Sequence, residues 1–438
     1  MLYPDILFFS ISLLITFFIY KIFGKKYAID QPGIRKPHNI PTTQIGGIIF
    51  GPLLVIIGYY LELLPLWYIL GGIISILLGA ADDLFHVRWY FKLIIQLLLS
   101  TFIAYSFWGK FNVIVFYDFD IYVSQLILLF IFIIWFIGIY NAVNLLDGLD
   151  GLAGGFLFIL SVGLSITQIG VFSTYNGIFA IIILSFLIFN QRPSKLFMGD
   201  AGSLFLGFHV AVLPLLYSES IHLSRSLSIT PFILLSSYLI ADTTRVFFTR
   251  ILDKKSPMTA DTIHFHHLIY QQSGSYLASI GSIYFITLFS LLISILSFNS
   301  TLTSNIMIIH LAVLLIFILT PPVQTYVPLF TKGIKPFYSW QKKRKKVEPF
   351  IPRTIFMITL LLLLLLSIFA NSNLNILIDY HHGIAAFSIA LFAIINRKDI
   401  ITMYVIQVSI ILIFLEISWN KDIIMFSKLF TSLIFVSY

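Results

Sequence analysis

Fifteen apolar runs dominate this chain and restrict it to one kind of fold. Eleven fall at about 5–23, 45–64, 66–81, 93–109, 122–140, 152–170, 172–190, 202–218, 230–248, 275–297 and 302–320. Four more follow at about 353–371, 379–396, 400–417 and 422–438. Most approach the roughly 20 residues that a helix needs to cross a bilayer. Inside hydrocarbon, backbone N–H and C=O groups must be paired within a helix or a closed barrel. The runs are continuous rather than alternating, which predicts helices. Composition agrees, with 59% hydrophobic and 11% charged residues among 438 and a mean hydropathy of +0.98. A soluble domain has no way to hide that much apolar surface. The expected fold is an all-α polytopic membrane protein, with about 11 transmembrane helices in a core and about 4 C-terminal helices. Run 66–81 is short and contains Gly71-Gly72, which suits a helix whose end lines a wet cavity. The first run reads as a retained anchor, because a basic loop and no small-residue cleavage site follows it. The chain has no cysteine, which excludes disulfides, iron–sulfur clusters and thiol catalysis.

Orientation follows from the basic residues. Connections after odd-numbered runs hold 23 of the 27 Lys and Arg residues, and the rest are Lys110, Arg225, Lys421 and Lys428. The positive-inside rule therefore puts the odd side in the cytoplasm and the N-terminus outside. The net charge of +8 is a topology signal and not a nucleic-acid footprint.

Five polar clusters interrupt the apolar chain, each after an odd-numbered run, so all should meet on the cytoplasmic face. They are Arg35-Lys36-Pro37-His38, Asp82-Asp83, Asn141 to Asp150, Asn190 to Ser203, and Arg250 to His267. Ionisable groups beside membrane spans point to function. Two adjacent carboxylates repel and need a cation, a hydrogen-bond donor or water. Magnesium held by one or two carboxylates and substrate phosphates is one solution. The bland alternative is a hydrated helix end with Lys92 nearby. Asn141 to Gly155 brings two carboxylates, two amides and four glycines with no basic residue. Glycines admit close approach of a ligand, and Asp and Asn supply donors, acceptors or metal ligands. Its bland alternative is a turn in which Asp150 caps the next helix. Asp200 or Ser203 has the same alternative as a cap. The last cluster sets Arg250, Lys254 and Lys255 beside His264, His266 and His267, a composition suited to a polyanionic phosphate. Carboxylates, a glycine-rich polar loop and a cationic loop together fit magnesium and a diphosphate. On a membrane scaffold, that combination suits transfer of a nucleotide-activated group to a lipid phosphate.

Asp82-Asp83, Asn144-x-x-Asp147-Gly148-x-Asp150-Gly151, Phe197-Met198-Gly199-Asp200-x-Gly202-Ser203 and His264-x-His266-His267 resemble the polyprenyl-phosphate N-acetylhexosamine-1-phosphate transferases. The motifs keep that family's order across roughly residues 1–320, and the His-x-His-His form is similar to its undecaprenyl-phosphate N-acetylglucosamine-1-phosphate branch. The resemblance implies a Mg2+-dependent exchange of phosphoanhydrides, with Mn2+ as an alternative ion. UDP-N-acetylhexosamine would be the donor and undecaprenyl phosphate the acceptor, with UMP released as a cell-surface glycan such as an O-antigen is initiated. It implies metal ligation by Asp200 and Asp83, and catalytic roles for Asp82, Asp83, Asp147 and Asp150, with Asp82 as base. Substrate contacts would come from Lys36, Asn144, Asn190, Phe197, Arg250, His264, His266 and His267, with Phe197 stacking on uridine. The implied setting is the bacterial inner membrane, and the resemblance leaves room for a homodimer. His86 departs from the pattern, standing where many relatives carry an acid.

The expected division is a catalytic transmembrane domain at 1–320, a basic cytoplasmic linker at 321–352 and a C-terminal transmembrane extension at 353–438. Lys342 to Lys346, beside Phe337, Tyr338 and Trp340, suit anionic headgroups. The competing reading is a transporter or lipid flippase. It would need charges near the midplane and matched broken helices, whereas these charges sit at the ends of runs.

Overall fold

The computed structural model describes residues 5–298 apart from 25, 32–40, 117–118, 168, 222–224 and 257–261. The run at 302–320, the linker, the C-terminal extension and the cluster Arg35 to His38, with Lys36, lie outside the described residues. So does the 257–261 portion of the last cluster.

The order begins with α1 (Asp5–Phe23), β1 (Ile29–Asp30), β2 (Thr42–Thr43), α2 (Gly46–Tyr60), α3 (Leu66–Phe85) and α4 (Trp89–Ser106). After β3 (Val113–Phe116) and β4 (Phe119–Tyr122) come α5 (Gln125–Leu146), α6 (Leu152–Ser165), α7 (Gly170–Asn190) and α8 (Gly199–Ser220). The described part closes with β5 (Ser226–Ser228), α9 (Thr230–Leu235), α10 (Ser237–Leu252), α11 (Phe265–Ser273) and α12 (Tyr276–Phe298). Among the described residues, six helices are long and apolar enough to cross a membrane, namely α3, α4, α5, α7, α8 and most of α12. Shorter apolar helices lie in α1, α2 and α6. The chain is therefore mostly helical and multi-pass.

The all-α expectation needs a small correction. β3 pairs antiparallel with β4 and parallel with β5, and β1 pairs with β2. These strands are too short to show a hydrophobic period. The single run expected at 230–248 is also two helices, because the chain turns at Ser236 between α9 and α10. α10 buries Asp242, Arg245 and Arg250, so it is not an apolar span.

α8 is the axis of the fold, and the whole of its membrane-length window is buried. It packs against α3, α5 and α2. Small residues set these approaches, as they do where lipid gives helices no hydrophobic drive to associate. A Cβ at Gly79 would lie 2.2 Å from the Asp200 carbonyl oxygen, and one at Gly47 would lie 1.9 Å from the Gly202 nitrogen. Gly71 and Gly72 belong to the same packing and not to a wet cavity. A Cβ at Gly71 would meet the Phe208 ring at 2.5 Å, and α3 runs on to Phe85.

Candidate active site

α3 carries Asp82 and Asp83 in its last turn, and the near-contact at Gly79 decides what Asp83 can reach. One turn beyond that glycine, Asp83 Oδ1 accepts the Asp200 N–H at 2.8 Å and Oδ2 accepts the Ala201 N–H at 3.1 Å. Helix N-termini leave such N–H groups unpaired and favour negative charge. Asp83 thus caps α8 from another helix, and neither Asp200 nor Ser203 is the cap. Gly199, at φ +68°, makes the entry to α8, and a Cβ there would lie 2.6 Å from Asp83 Oδ2. Asp82 is buried and accepts from Lys92 Nζ at 2.6 Å, while the same ammonium lies 3.8 Å from Asp200 Oδ2. The Asp200 side chain is 33% exposed against 9% for Asp82, so Asp200 is the more accessible carboxylate. His86 is the exposed left-handed C-cap of α3, at φ +53°.

The polar stretch after α5 is shorter than its composition implies, because the helix continues through Leu146. Asn141 is tolerated there because its amide exchanges hydrogen bonds with Gln96 at 2.8 and 3.2 Å and donates to the Ile137 carbonyl. Asn144 Oδ1 accepts the Ser203 hydroxyl at 2.6 Å, which ties α5 to α8. The loop proper is Asp147 to Gly151, with Gly151 at φ +74° as N-cap of α6. Asp150 is therefore not that cap. Two α12 tyrosines hold the loop's carbonyls: Tyr276 donates to Asp150 O, and Tyr284 donates to Gly151 O at 2.8 Å. Asp147 is half-buried. Burial, then the Asp83 and Asp150 carboxylates, push it up to about 7.

Asn190 was expected to touch the substrate. It is 2% exposed, and its amide accepts the Gly151 N–H at 3.0 Å and donates to Leu196 O at 2.9 Å. In this structure it shapes the loop. Phe197 is half-buried; its N–H donates to Thr43 O and its carbonyl accepts from Gly46 N–H. Residues 43–47 therefore run against the entry to α8 even though Lys36 lies outside the described residues.

The histidines pack on the loop. A Cβ at Gly148 would lie 2.7 Å from His266 Nε2 and 2.9 Å from His267 Cε1, so only glycine fits beneath them. His266 is 1% exposed, with no hydrogen-bond partner for either ring nitrogen among the described residues. Burial, then His267, holds its imidazole well below the ordinary range, so it is neutral. His264 is buried against Asp242, Arg250 is buried, and His267 is the half-buried member of the group. The loop is less cationic than the sequence suggests, because Asp242 stands among its cations.

Four of the five clusters therefore meet at one end of the helices. Sequence reasoning missed Asp242, Arg245, Tyr276 and Tyr284 and counted Lys92 only as a bland countercharge. Asp242 and Arg245 had a signal: an i,i+3 pair of charges inside a presumed apolar run. The donor set suits a hard divalent cation: Lys92 lies beside Asp82 and Asp200, and Asp83 and Asp150 add their charges beside Asp147. Among the described residues no three His, Asp or Glu side chains form a closed metal cage. Magnesium needs none, because water and substrate phosphates complete its shell.

A polytopic helical protein with an acidic, glycine-rich site at one end is the class that fold and site define. Residues 66–218 match glycosyl transferase family 4. The chain is 31% identical over 353 residues to a probable undecaprenyl-phosphate N-acetylglucosaminyl 1-phosphate transferase of Bacillus subtilis, covering 76% of this chain and 94% of that protein. It is 30% identical over 287 residues to the undecaprenyl-phosphate alpha-N-acetylglucosaminyl 1-phosphate transferase of Thermotoga maritima, covering 64% and 87%. A phospho-N-acetylmuramoyl-pentapeptide-transferase of Fervidobacterium nodosum is 34% identical over 206 residues, covering 45% and 65%. The chain belongs to glycosyl transferase family 4.

Proposed function

We propose that this protein transfers N-acetylglucosamine-1-phosphate from UDP-N-acetylglucosamine to undecaprenyl phosphate, releasing UMP as a cell-surface glycan is begun. One observation carries the reading: Asp82, Asp83, Asp200, the Asp147–Gly151 loop and the histidines share one end of the helices. The names of the relatives in Bacillus subtilis and Thermotoga maritima support the acceptor and the sugar.

An oxygen of the lipid phosphate attacks the sugar-linked phosphorus of the donor. The bond to the UMP phosphate breaks, and one phosphoanhydride replaces another. Asp82 takes any proton left on the lipid phosphate, while Lys92 offsets charge between Asp82 and Asp200. Asp83 holds α8 so that Asp200 faces the reacting phosphates. Asp147, Asp150 and Asn144 line the donor side, with Phe197 and His267 as contacts. Lys36 and Arg250 complete the anion-binding set proposed for the substrates. Asp200, with Asp83 behind it, would hold Mg2+ or Mn2+. When bound, that ion neutralises phosphate charge. Positioning and charge neutralisation are the main requirements of phosphoryl transfer. We propose that this end faces the cytoplasm at a bacterial inner membrane, and the basic bias supports the cytoplasmic side. We further propose that 1–320 is the catalytic domain, that 321–352 links it to the membrane surface, and that 353–438 is accessory.

Purified protein supplied with magnesium, undecaprenyl phosphate and UDP-N-acetylglucosamine should release UMP. No UMP with any UDP-N-acetylhexosamine sinks the proposal.

A further inference from the structure

α10 carries two ionisable side chains that the reaction above does not use. Asp242 and Arg245 are 4% and 5% exposed, and Arg245 Nη2 donates to Asp242 Oδ1 at 2.7 Å. Desolvating such a pair is costly, and apolar residues often replace one without loss of stability. Its presence therefore calls for a use.

The remaining bonds of the pair all go to one place. Asp242 Oδ1 also accepts the Phe265 N–H at 3.1 Å, and Oδ2 lies 2.9 Å from His264 Nδ1. Arg245 Nη2 also donates to the Ile263 carbonyl at 2.7 Å. Three consecutive residues at the start of α11 are thus held by one pair on α10. His264, the N-cap residue, makes no capping bond of its own. Asp242 caps α11 from another helix, as Asp83 caps α8. An ionised carboxylate only accepts, so His264 Nδ1 must donate, and the ring's tautomer and direction follow. Nε2 is then left without a hydrogen-bond partner among the described residues. His264 lines a small cleft with Ala142 and Leu145 of α5, Tyr238 of α10 and His266. The His264 ring lies 5.9 Å from that of His266 at 16°, and the His266 ring lies 4.1 Å from that of His267. The setting of one ring therefore passes to the two that rest on Gly148.

We propose that Asp242 is a positioning residue for the donor substrate. It fixes His264 through Nδ1 so that Nε2 faces the cleft, and Arg245 balances the charge and pins Ile263. This assignment rests on reading the site as a UDP-sugar phosphotransferase. The competing reading is that the pair only staples α10 to α11.

The test uses the full chain, comparing wild type with Asp242→Asn, His264→Ala and the double variant, with kcat and KM for each substrate and a thermal midpoint. Asparagine keeps the shape but turns a donor toward Nδ1, which reverses the tautomer. Asp242→Asn should lower kcat/KM for UDP-N-acetylglucosamine about tenfold or more, the scale at which a supporting partner orients a histidine. KM for undecaprenyl phosphate should stay within about twofold, and the double variant should be no worse than His264→Ala. Additive losses, or equal losses toward both substrates, overturn the assignment. If Asp242→Asn does not fold, His264→Asn decides: it keeps a donor for Asp242 but lacks Nε2. That variant should fold with weakened donor use, and wild-type kinetics would leave only the staple. An inactive wild type removes the underlying functional reading, whereas an active wild type with additive losses removes the Asp242 assignment alone.

Discussion

Substituting Gly79 by alanine should damage the site without touching any group that carries the chemistry. The new methyl would sit 2.2 Å from the Asp200 carbonyl and 2.3 Å from the Ala201 nitrogen, more than 1 Å inside the 3.4 Å of ordinary contact. Those atoms are helix backbone, so α3 and the first turn of α8 must move apart by about that distance. Asp83 then loses its grip on the two N–H groups that it now meets at 2.8 and 3.1 Å. Overpacking costs about 1–3 kcal/mol, and a lost helix cap costs about 1 kcal/mol. A displacement of about 1 Å at a reacting centre can slow turnover about 100-fold, roughly 2.7 kcal/mol of barrier. The assay is UMP release at saturating substrates, paired with a thermal midpoint in detergent. Gly138→Ala is the control, since nothing lies within 4 Å of a Cβ there. It should leave turnover unchanged. A Gly79→Ala protein within threefold of wild type would refute the claim that close approach of α3 to α8 assembles the acidic site.

Asp200→Asn should lower turnover by about two orders of magnitude or more at saturating magnesium, and near-normal turnover would remove its proposed metal role. Gly148→Ala pushes the His266 and His267 rings, which sit 2.7 and 2.9 Å from the new methyl. It should raise KM for the UDP-sugar more than it lowers kcat, and an unchanged KM would separate the histidines from donor binding. The pH dependence follows from Asp147, raised from its ordinary 3.8 to about 7 by burial and by Asp83 and Asp150. The unfolded chain ionises this group first, so the folded state binds more protons between those values, and stability must fall as pH rises through that window. Without divalent cation, the thermal midpoint should drop between about pH 4 and 7, and Asp147→Asn should flatten the drop. An equal slope in both proteins would contradict the assignment.

Much of the fold was legible because the bilayer is a strict solvent. The ten core runs that fall within the described residues are mainly helical, although 230–248 breaks at Ser236, and four polar clusters meet at one end of the helices. What stayed hidden was non-local. Asp83 caps a helix 117 residues away, and no spacing rule links those positions. Asn141 and Asn144 looked like loop residues, yet they sit on α5 because Gln96 and Ser203 satisfy their amides. Asn190 looked like a substrate contact, but its donor and acceptor serve Leu196 and Gly151. The run at 230–248 concealed Asp242 and Arg245, whose burial is acceptable only because His264, Phe265 and Ile263 complete their bonds. Strands β3 to β5 carry only three or four residues each, too few to tell from the ends of apolar runs.

The most direct test follows the atoms of the donor. UDP-N-acetylglucosamine labelled in the sugar and in the sugar-linked phosphate is incubated with purified protein, magnesium and undecaprenyl phosphate. The mechanism requires both labels to enter the lipid in equal amounts, with an equal amount of unlabelled UMP in the aqueous phase. Sugar in the lipid without its phosphate label, or no lipid label at all, would contradict it.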